Sequence, residues 1–358
     1  MATPRQPLSL LFACLACHSP AGELRPGQPV FGTGFPELSA ASPAGPENQY
    51  VVVADNELPS FGLFRLSDFP AAIHAPALRS AISPEYAVDD LEGSTVFPWD
   101  INGDGSPEAV YHVFCASCAR TKGKGKVEPQ RDAIFALSIN PTAPAGKAFQ
   151  DPATVEYNRS LREQIRALGS SNPTTPWGSL LRNAVSRPGT ALSAADATLA
   201  GADGLNIEGL TASLDGSSLL LGLRSPLCRG RAILIPLTNP VALLGLGESQ
   251  PQPAAPGTPI LLDLGGLGIR SIERDTASRT YRIAAGPAGP ENGPFLLFTW
   301  NGDPDSAPAR ISVPESPAAE KLPFEAIATA PQWPFVLAFA DGGQKLPFFR
   351  GLAIARQP

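Results

Sequence analysis

Residues 209–223 read GLTASLDGSSLLLGL, and residues 231–237 read RAILIPL. Two short apolar runs flank Asp215-Gly216, and Asp-Gly is a hairpin signal because both of its residues tolerate positive φ. The next run follows within eight residues, again too short for a helix and rich in branched side chains. The same layout recurs in YVVVADNE (50–57), STVFPWDINGDGSPEAVYHVF (94–114), DAIFALSI (132–139), TPILLDL (258–264), RTYRIAAGP (279–287) and PFLLFTW (294–300). It continues in ARISV (309–313), WPFVLAFADGG (333–343) and LAIA (352–355). Many short antiparallel strands with close turn signals predict an all-β protein.

Composition agrees. The chain has 358 residues, of which 40 are Pro and 34 Gly, and both residue types punctuate strands rather than fill helices. Its hydrophobic fraction of 43% supports a sizeable core, and its net charge is −6. Nucleic-acid binding calls for a basic face; the one basic cluster, RTKGKGK (120–126), is short, glycine-spaced and read as a solvated turn. One helix is expected in DPATVEYNRSLREQIRALG (151–169), where Leu161, Ile165 and Leu168 share a face, with Asp151-Pro152 as its start and Gly169 as its stop. Residues 169–204 and 248–258 read as loops.

A low-resolution repeat sets the architecture. Glu92, Glu208, Glu273 and Glu325 each follow an apolar residue ahead of strand-like sequence, separated by 116, 65 and 52 residues. A four-stranded propeller blade takes roughly 40–50 residues, so the longest gap fits two blades, one carrying the helix. The expectation is a single β-propeller over 50–358 with about six blades, within a range of five to seven, and one inserted helix. Ring closure would bring these carboxylates towards a common axis.

Several blocks resemble the bacterial family called domain of unknown function 3616: GLNIEGLTASLDGSSLLLGLRSPLCRGRAILIPLTNP (204–240), LLDLGGLGIRSIERD (261–275), RTYRIAAGPAG (279–289) and FLLFTWNG (295–302). VVVADNE (51–57), DLEGST (90–95), RTKGKGKVEPQRDAIFAL (120–137) and LPFEAIA (322–328) are similar to its other blocks. The resemblance covers most of 50–355 and is strongest over 205–302. It implies a propeller and no established activity. The chain departs from the family pattern at WDINGDGSPEAVYHV (99–113) and at FCASC (114–118).

The most specific local signal is Asp100-Ile-Asn102-Gly-Asp104-Gly105-Ser106-Pro-Glu108. Calcium takes six to eight hard oxygens, and alternating side chains plus a glycine turn let them converge. This is not an EF-hand, since Tyr111 stands where the last acidic ligand belongs. It resembles the FG-GAP loops that cap hairpins in integrin-type propellers, which assigns side-chain oxygens to Asp100, Asn102 and Asp104, a carbonyl to Ser106 and the last carboxylate to Glu108. The competing reading is a hairpin turn with no ion. Converged channel glutamates, Glu92, Glu208, Glu273 and Glu325, would either hold a hydrolytic metal or tie the blades together through hydrogen bonds. Asp55, Asn56 and Glu57 could join either arrangement. Cys115 and Cys118 can pair only if a turn falls between them, and no G-x-S-x-G element marks a nucleophile.

The amino terminus carries Arg5, an apolar run from Leu8 to Ala16, and small residues from Ser19 to Gly22, the order of an export signal. Cysteines at its edge point to a lipoprotein signal over residues 1–17, acylated on Cys17 in preference to Cys14, with a Pro/Gly/Ser-rich tether over 18–49. CLACH (14–18) matches a haem-attachment motif, but it lies where the signal is removed and the only methionine is Met1, so no haem is expected. The sequence thus predicts an exported protein of the bacterial periplasm or cell surface, held at the outer membrane through a lipid anchor only. There it would act as a ligand- or protein-binding scaffold with a structural calcium. The alternative is a metal-dependent esterase or lactonase using the channel glutamates.

Overall fold

The computed structural model describes residues 24–356, apart from 57–59, 70–77, 82–87, 103, 122–125, 143–147, 151–154, 187–203, 248–249, 290–292, 313–321 and 341–347. Five antiparallel sheets follow one another along the chain. The first holds β2 (Leu38–Ala44), β3 (Tyr50–Asp55), β4 (Ser60–Arg65) and β5 (Leu78–Ala81). The second holds β6 (Leu91–Trp99), β7 (Ala109–Ala116) and β8 (Ile134–Leu137). The third holds β9 (Asn206–Ala212), β10 (Leu219–Ser225), β11 (Ala232–Leu237) and β12 (Ile260–Leu262). The fourth holds β13 (Gly268–Asp275), β14 (Thr280–Gly286), β15 (Leu296–Trp300) and β16 (Ala309–Ile311). The fifth holds β17 (Phe324–Ala328), β18 (Phe335–Ala340) and β19 (Phe348–Ala355), and its outer strand is β1 (Pro29–Thr33), from the opposite end of the chain.

The innermost strands β2, β6, β9, β13 and β17 each contact the next, and β17 contacts β2, so the sheets close into a five-bladed propeller. Pairing of Pro29 to Leu352 through Thr33 to Phe348 fastens the ring with hydrogen bonds between distant segments. Closure leaves only short outer edges, which limits edge pairing with other chains.

Strand alternation explains the core. Val51 and Val53 pack towards the fifth blade with Phe35, Phe64, Leu337 and Phe349, while Val52 and Ala54 pack towards the second with Phe61, Phe114 and Phe135. A strand inside a blade is therefore buried on both faces, and its central run is wholly apolar, as Val51–Ala54 of β3 shows. Five apolar clusters fill the five seams.

Five blades is one fewer than the expected six, at the lower end of the range. The 116-residue gap between Glu92 and Glu208 holds a single blade plus a helical insertion. Asn158 bridges Ile134 where that blade's fourth strand would lie. Then come α1 (Leu161–Ser171) and α2 (Gly178–Ser186), the latter in a stretch expected to be loop. Helix α1 begins nine residues after the expected start and runs past Gly169, because Leu161 and Ile165 seat against the core of blades 2 and 3 and that packing sets its extent. Pro240–Leu243 adds one short turn, α3. Domain organisation also differs from expectation: residues 29–44, read as tether, supply β1 and β2, because their small residues fit the crowded inner strand and the closing edge. The expected signal over 1–17 and Cys17 lie outside the described residues.

Candidate functional site

Each innermost strand is broken by a bulge near its first residue. Register shifts fall between Leu38 and Ala40, Leu91 and Gly93, Ile269 and Ser271, and Phe324 and Ala326. In β9 the partners change between Ile207 and Gly209. A bulge adds one residue to one strand and re-aims its side chain. The extra residues are Ser39, Glu92, Glu208, Arg270 and Glu325, one per blade. Each sits between an apolar residue that enters a seam and a small residue that permits close approach. At Gly93 the next blade comes so close that a Cβ there would lie 2.8 Å from Leu210 Cβ and 3.0 Å from Leu210 N.

The five groups converge on the axis. Arg270 Nε lies 2.9 Å from Glu208 Oε2, and the same guanidinium pairs with Glu325 Oε1. Arg224 Nη1 lies 3.0 Å from Glu208 Oε1, and Asn206 Nδ2 donates to that oxygen at 2.9 Å. Asn56 Nδ2 donates to Glu92 Oε1 at 3.5 Å, and Ser39 Oγ donates to the carbonyl of Leu91. Glu92 also feels Glu325 and Arg270, each two blades away around the ring. All five are at most 8% exposed, so they plug the axis instead of lining an open tunnel.

Electrostatics follow from that burial. Desolvation, then the charges of Glu208, Asp90 and Glu325, hold the Glu92 carboxyl well above its ordinary range. Arg270 stays charged: burial opposes this, but Glu208 and Glu325 outweigh it and push its pKa up. Half-buried groups surround the plug. Arg224 Nε and Nη2 also donate to Pro287 O and Gly289 O at 3.0 and 2.8 Å. Arg131 pairs with Asp89 and Asp90 at 3.0 Å each, and Ser117 Oγ donates to Asp90. Burial raises the Asp90 pKa against the pull of Arg131.

The structure thus brings together Glu92, Glu208 and Glu325 but not Glu273. Glu273 lies three residues along β13, buried among Arg274, Asp275 and Tyr281, with a raised pKa whose main cause is burial. Arg270 holds the fourth blade's place. Tracking the residue type led to Glu273; tracking position in the apolar–X–small pattern leads to Arg270 and also to Ser39. Asn56 joins the ring, Asp55 Oδ2 accepts from Glu37 N at 3.2 Å, and Glu57 lies outside the described residues.

The acidic loop lies at the other end of the blades, between β6 and β7. Ligand oxygens of Asp100, Asp104 and Glu108 fall within 4.8 Å of one another, the only such group of three among the described residues. Asp100 accepts from Asp104 N at 3.2 Å and Gly105 N at 2.7 Å, Glu108 Oε2 from Ile101 N at 2.6 Å, and Asp104 Oδ1 from Ser106 N at 2.8 Å. Asn102 Oδ1 accepts from Asp104 N at 2.8 Å. Backbone amides thus pre-orient the carboxylates on one turn. Cys115, Cys118 and Cys228 are buried free thiols in one core. Burial pushes the Cys115 and Cys118 pKa values up, which leaves neither a ready nucleophile. No helix among the described residues is long and apolar enough to cross a membrane.

The family described as "Protein of unknown function (DUF3616)" matches residues 194–329, which run from before β9 to just past β17. No curated protein matches the chain. Among solved structures, the PQQ-bound aldose sugar dehydrogenase of Streptomyces coelicolor is 12% identical, over 92% of this chain and 99% of that one, at a TM-score of 0.42. Glutaminyl cyclase of Myxococcus xanthus is 12% identical over 93% and 100% of the two chains, at 0.38. Luciferin-regenerating enzyme is 11% identical over 92% and 97%, also at 0.38. At these scores no chemistry of theirs transfers to this chain.

Proposed function

We propose that this chain is an exported, lipid-anchored propeller that serves as a binding scaffold, with the bulge-ring face as its ligand surface. One observation carries the reading: five bulged residues, one from each blade, form a buried polar plug ringed by half-buried Asn56, Arg224, Asn206 and Asp90. Such a plug fixes the positions of donors and acceptors around it, and preorganised polar groups are what orient a small ligand. Glu208 and Glu325 are balanced by Arg270 and Arg224, so the surface suits a polar ligand that is neutral or zwitterionic.

A metal-dependent hydrolase is the weaker reading. The positive charge that gathers Glu208 and Glu325 is already a guanidinium, and a second cation there would meet its repulsion. At the opposite end, the turn at Asp100, Asn102, Asp104, Ser106 and Glu108 would hold a structural calcium that clips the β6–β7 hairpin, a reading supported by the grouped oxygens of Asp100, Asp104 and Glu108. Export and acylation on Cys17 rest on the amino-terminal sequence alone.

A thermal-shift screen of polar and zwitterionic metabolites tests the scaffold reading, with Arg224→Gln run in parallel. Saturable shifts weakened in R224Q support it. Chelator-sensitive hydrolysis of aryl esters or lactones that disappears in Glu208→Gln would replace it with the hydrolase. Fractionation of cells carrying Cys17→Ala tests the anchor.

A further inference from the structure

Outside the ring and the acidic loop, one buried charged side chain feels the charge of a carboxylate, Asp132, without hydrogen-bonding to it through its forked nitrogens. Arg162, the second residue of α1, is 8% exposed. Its Nη1 and Nη2 are both buried and have no hydrogen-bond acceptor. Asp132 does not supply one: its Oδ1 accepts the backbone N–H of Arg162 at 3.3 Å and faces Cys118 Sγ at 3.6 Å, so this carboxylate caps the first turn of the helix. Arg120 is a second guanidinium at the same junction. Its Nη2 donates to Val185 O of α2 at 3.3 Å, and the field of Arg162 adds to burial in lowering its pKa.

Two like charges brought together, one of them buried with open forked donors, are costly unless an anion lies between them. Guanidinium forks match the paired oxygens of a tetrahedral oxyanion. We propose that the junction of α1, α2 and the segment after β7 binds a phosphate- or sulfate-type oxyanion through Arg162 and Arg120. Cys118 and Asp132 form the wall behind it. Ser117, the residue before Cys118, bonds Asp90 beside the ring, so this site flanks the proposed ligand face without depending on it.

The test uses the full chain at low ionic strength, titrated with inorganic phosphate, phenyl phosphate and, as control, sodium chloride at matched ionic strength. Phosphate should raise Tm saturably by ~2–4 °C, and chloride should not. Binding of inorganic phosphate alone marks a closed pocket for the free anion; binding of both marks an open one for phosphoryl esters. Arg162→Met should abolish the shift, and Arg120→Gln should weaken it roughly tenfold. In phosphate-free buffer R162M should match or exceed the wild-type Tm, since it removes a buried charge whose forked donors have no acceptor. The proposal is overturned if neither phosphate gives a saturable shift, or if R162M melts lower without phosphate. That last result would mean that the chain supplies the partner itself. Should R162M not fold, an unchanged phosphate affinity in R120Q overturns the proposal on its own.

Discussion

Arg270 Nε stands 2.9 Å from Glu208 Oε2 across the seam between the third and fourth blades, while the same guanidinium pairs with Glu325 on the fifth. One cation thus joins three of the five blades at the axis.

Removing that cation strands two carboxylates where water cannot reach them. Arg270→Met should cost about 3–5 kcal/mol in urea unfolding, the range for breaking a buried pair from one side. Neutralising the partners as well, in R270M/E208Q/E325Q, should recover most of the loss. A single-variant loss below about 1 kcal/mol would mean that the belt adds nothing to closure.

Glu92 gives a prediction about pH. Its folded pKa lies well above the ordinary 4.5, so above that pH the folded state holds a proton that the unfolded chain has released. Stability therefore falls as pH rises from about 4.5 towards the folded pKa. Glu92→Gln copies the protonated form and escapes the penalty. Its stability advantage over wild type should widen as pH rises from about 5 until the folded pKa is passed, in parallel denaturation series. A difference that stays flat across that range would show that the carboxyl is ionised in the fold.

How much of this was legible in the sequence depends on what each residue had to satisfy. Asp215-Gly216 and the apolar runs around it disclosed the hairpin of β9 and β10 because turn chemistry and two-sided burial both act locally. The blade count did not follow, because a 116-residue interval is consistent with two blades or with one blade and two helices, and only packing into the core shared by blades 2 and 3 decides for the helices. The ring was half legible. Glu92, Glu208 and Glu325 stood out as a repeated residue type, whereas a bulge selects for position and lets Ser39 and Arg270 occupy it equally well. Strands β1 and β2 were missed because PVFGT and LSAASPA have little apolar bulk. They are held by ring closure, a constraint absent from their own neighbourhood.

His112 should dominate the acid limb of stability. It is 3% exposed on β7, with Ser42 Oγ at 3.2 Å from Nδ1 across the seam to the first blade. Burial pushes its pKa from 6.5 down to about 4. Between those values the unfolded chain takes up a proton that the fold excludes, so stability is lost as pH falls from about 6.5 to 4, by roughly 3 kcal/mol in total. His112→Gln removes the titration, so the gap between wild type and variant should shrink by that amount from pH 7 to pH 4. A gap of constant size would show that the imidazole accepts its proton inside the seam.

The acidic turn yields the last test. Asp100, Asp104 and Glu108 are held by backbone amides in one group at the tip of the β6–β7 hairpin, and the latter two are exposed. Few ligands and free access to water argue for weak affinity, in the ~10⁻⁴–10⁻³ M range of extracellular calcium modules. At ten times Kd, calcium should stabilise the fold by about 1.4 kcal/mol. Magnesium should do much less, because it resists dehydration and demands near-octahedral geometry that an exposed turn does not enforce. Asp104→Asn keeps the turn's shape, since the amide oxygen can still accept from Ser106 N, but removes one ligand charge. It should therefore leave the calcium-free melting temperature near wild type while lowering calcium affinity about tenfold, measured by isothermal titration calorimetry. Equal responses to the two ions would reduce the effect to general screening of exposed carboxylates. An unaltered calcium response in D104N would leave the hairpin as a turn with no ion.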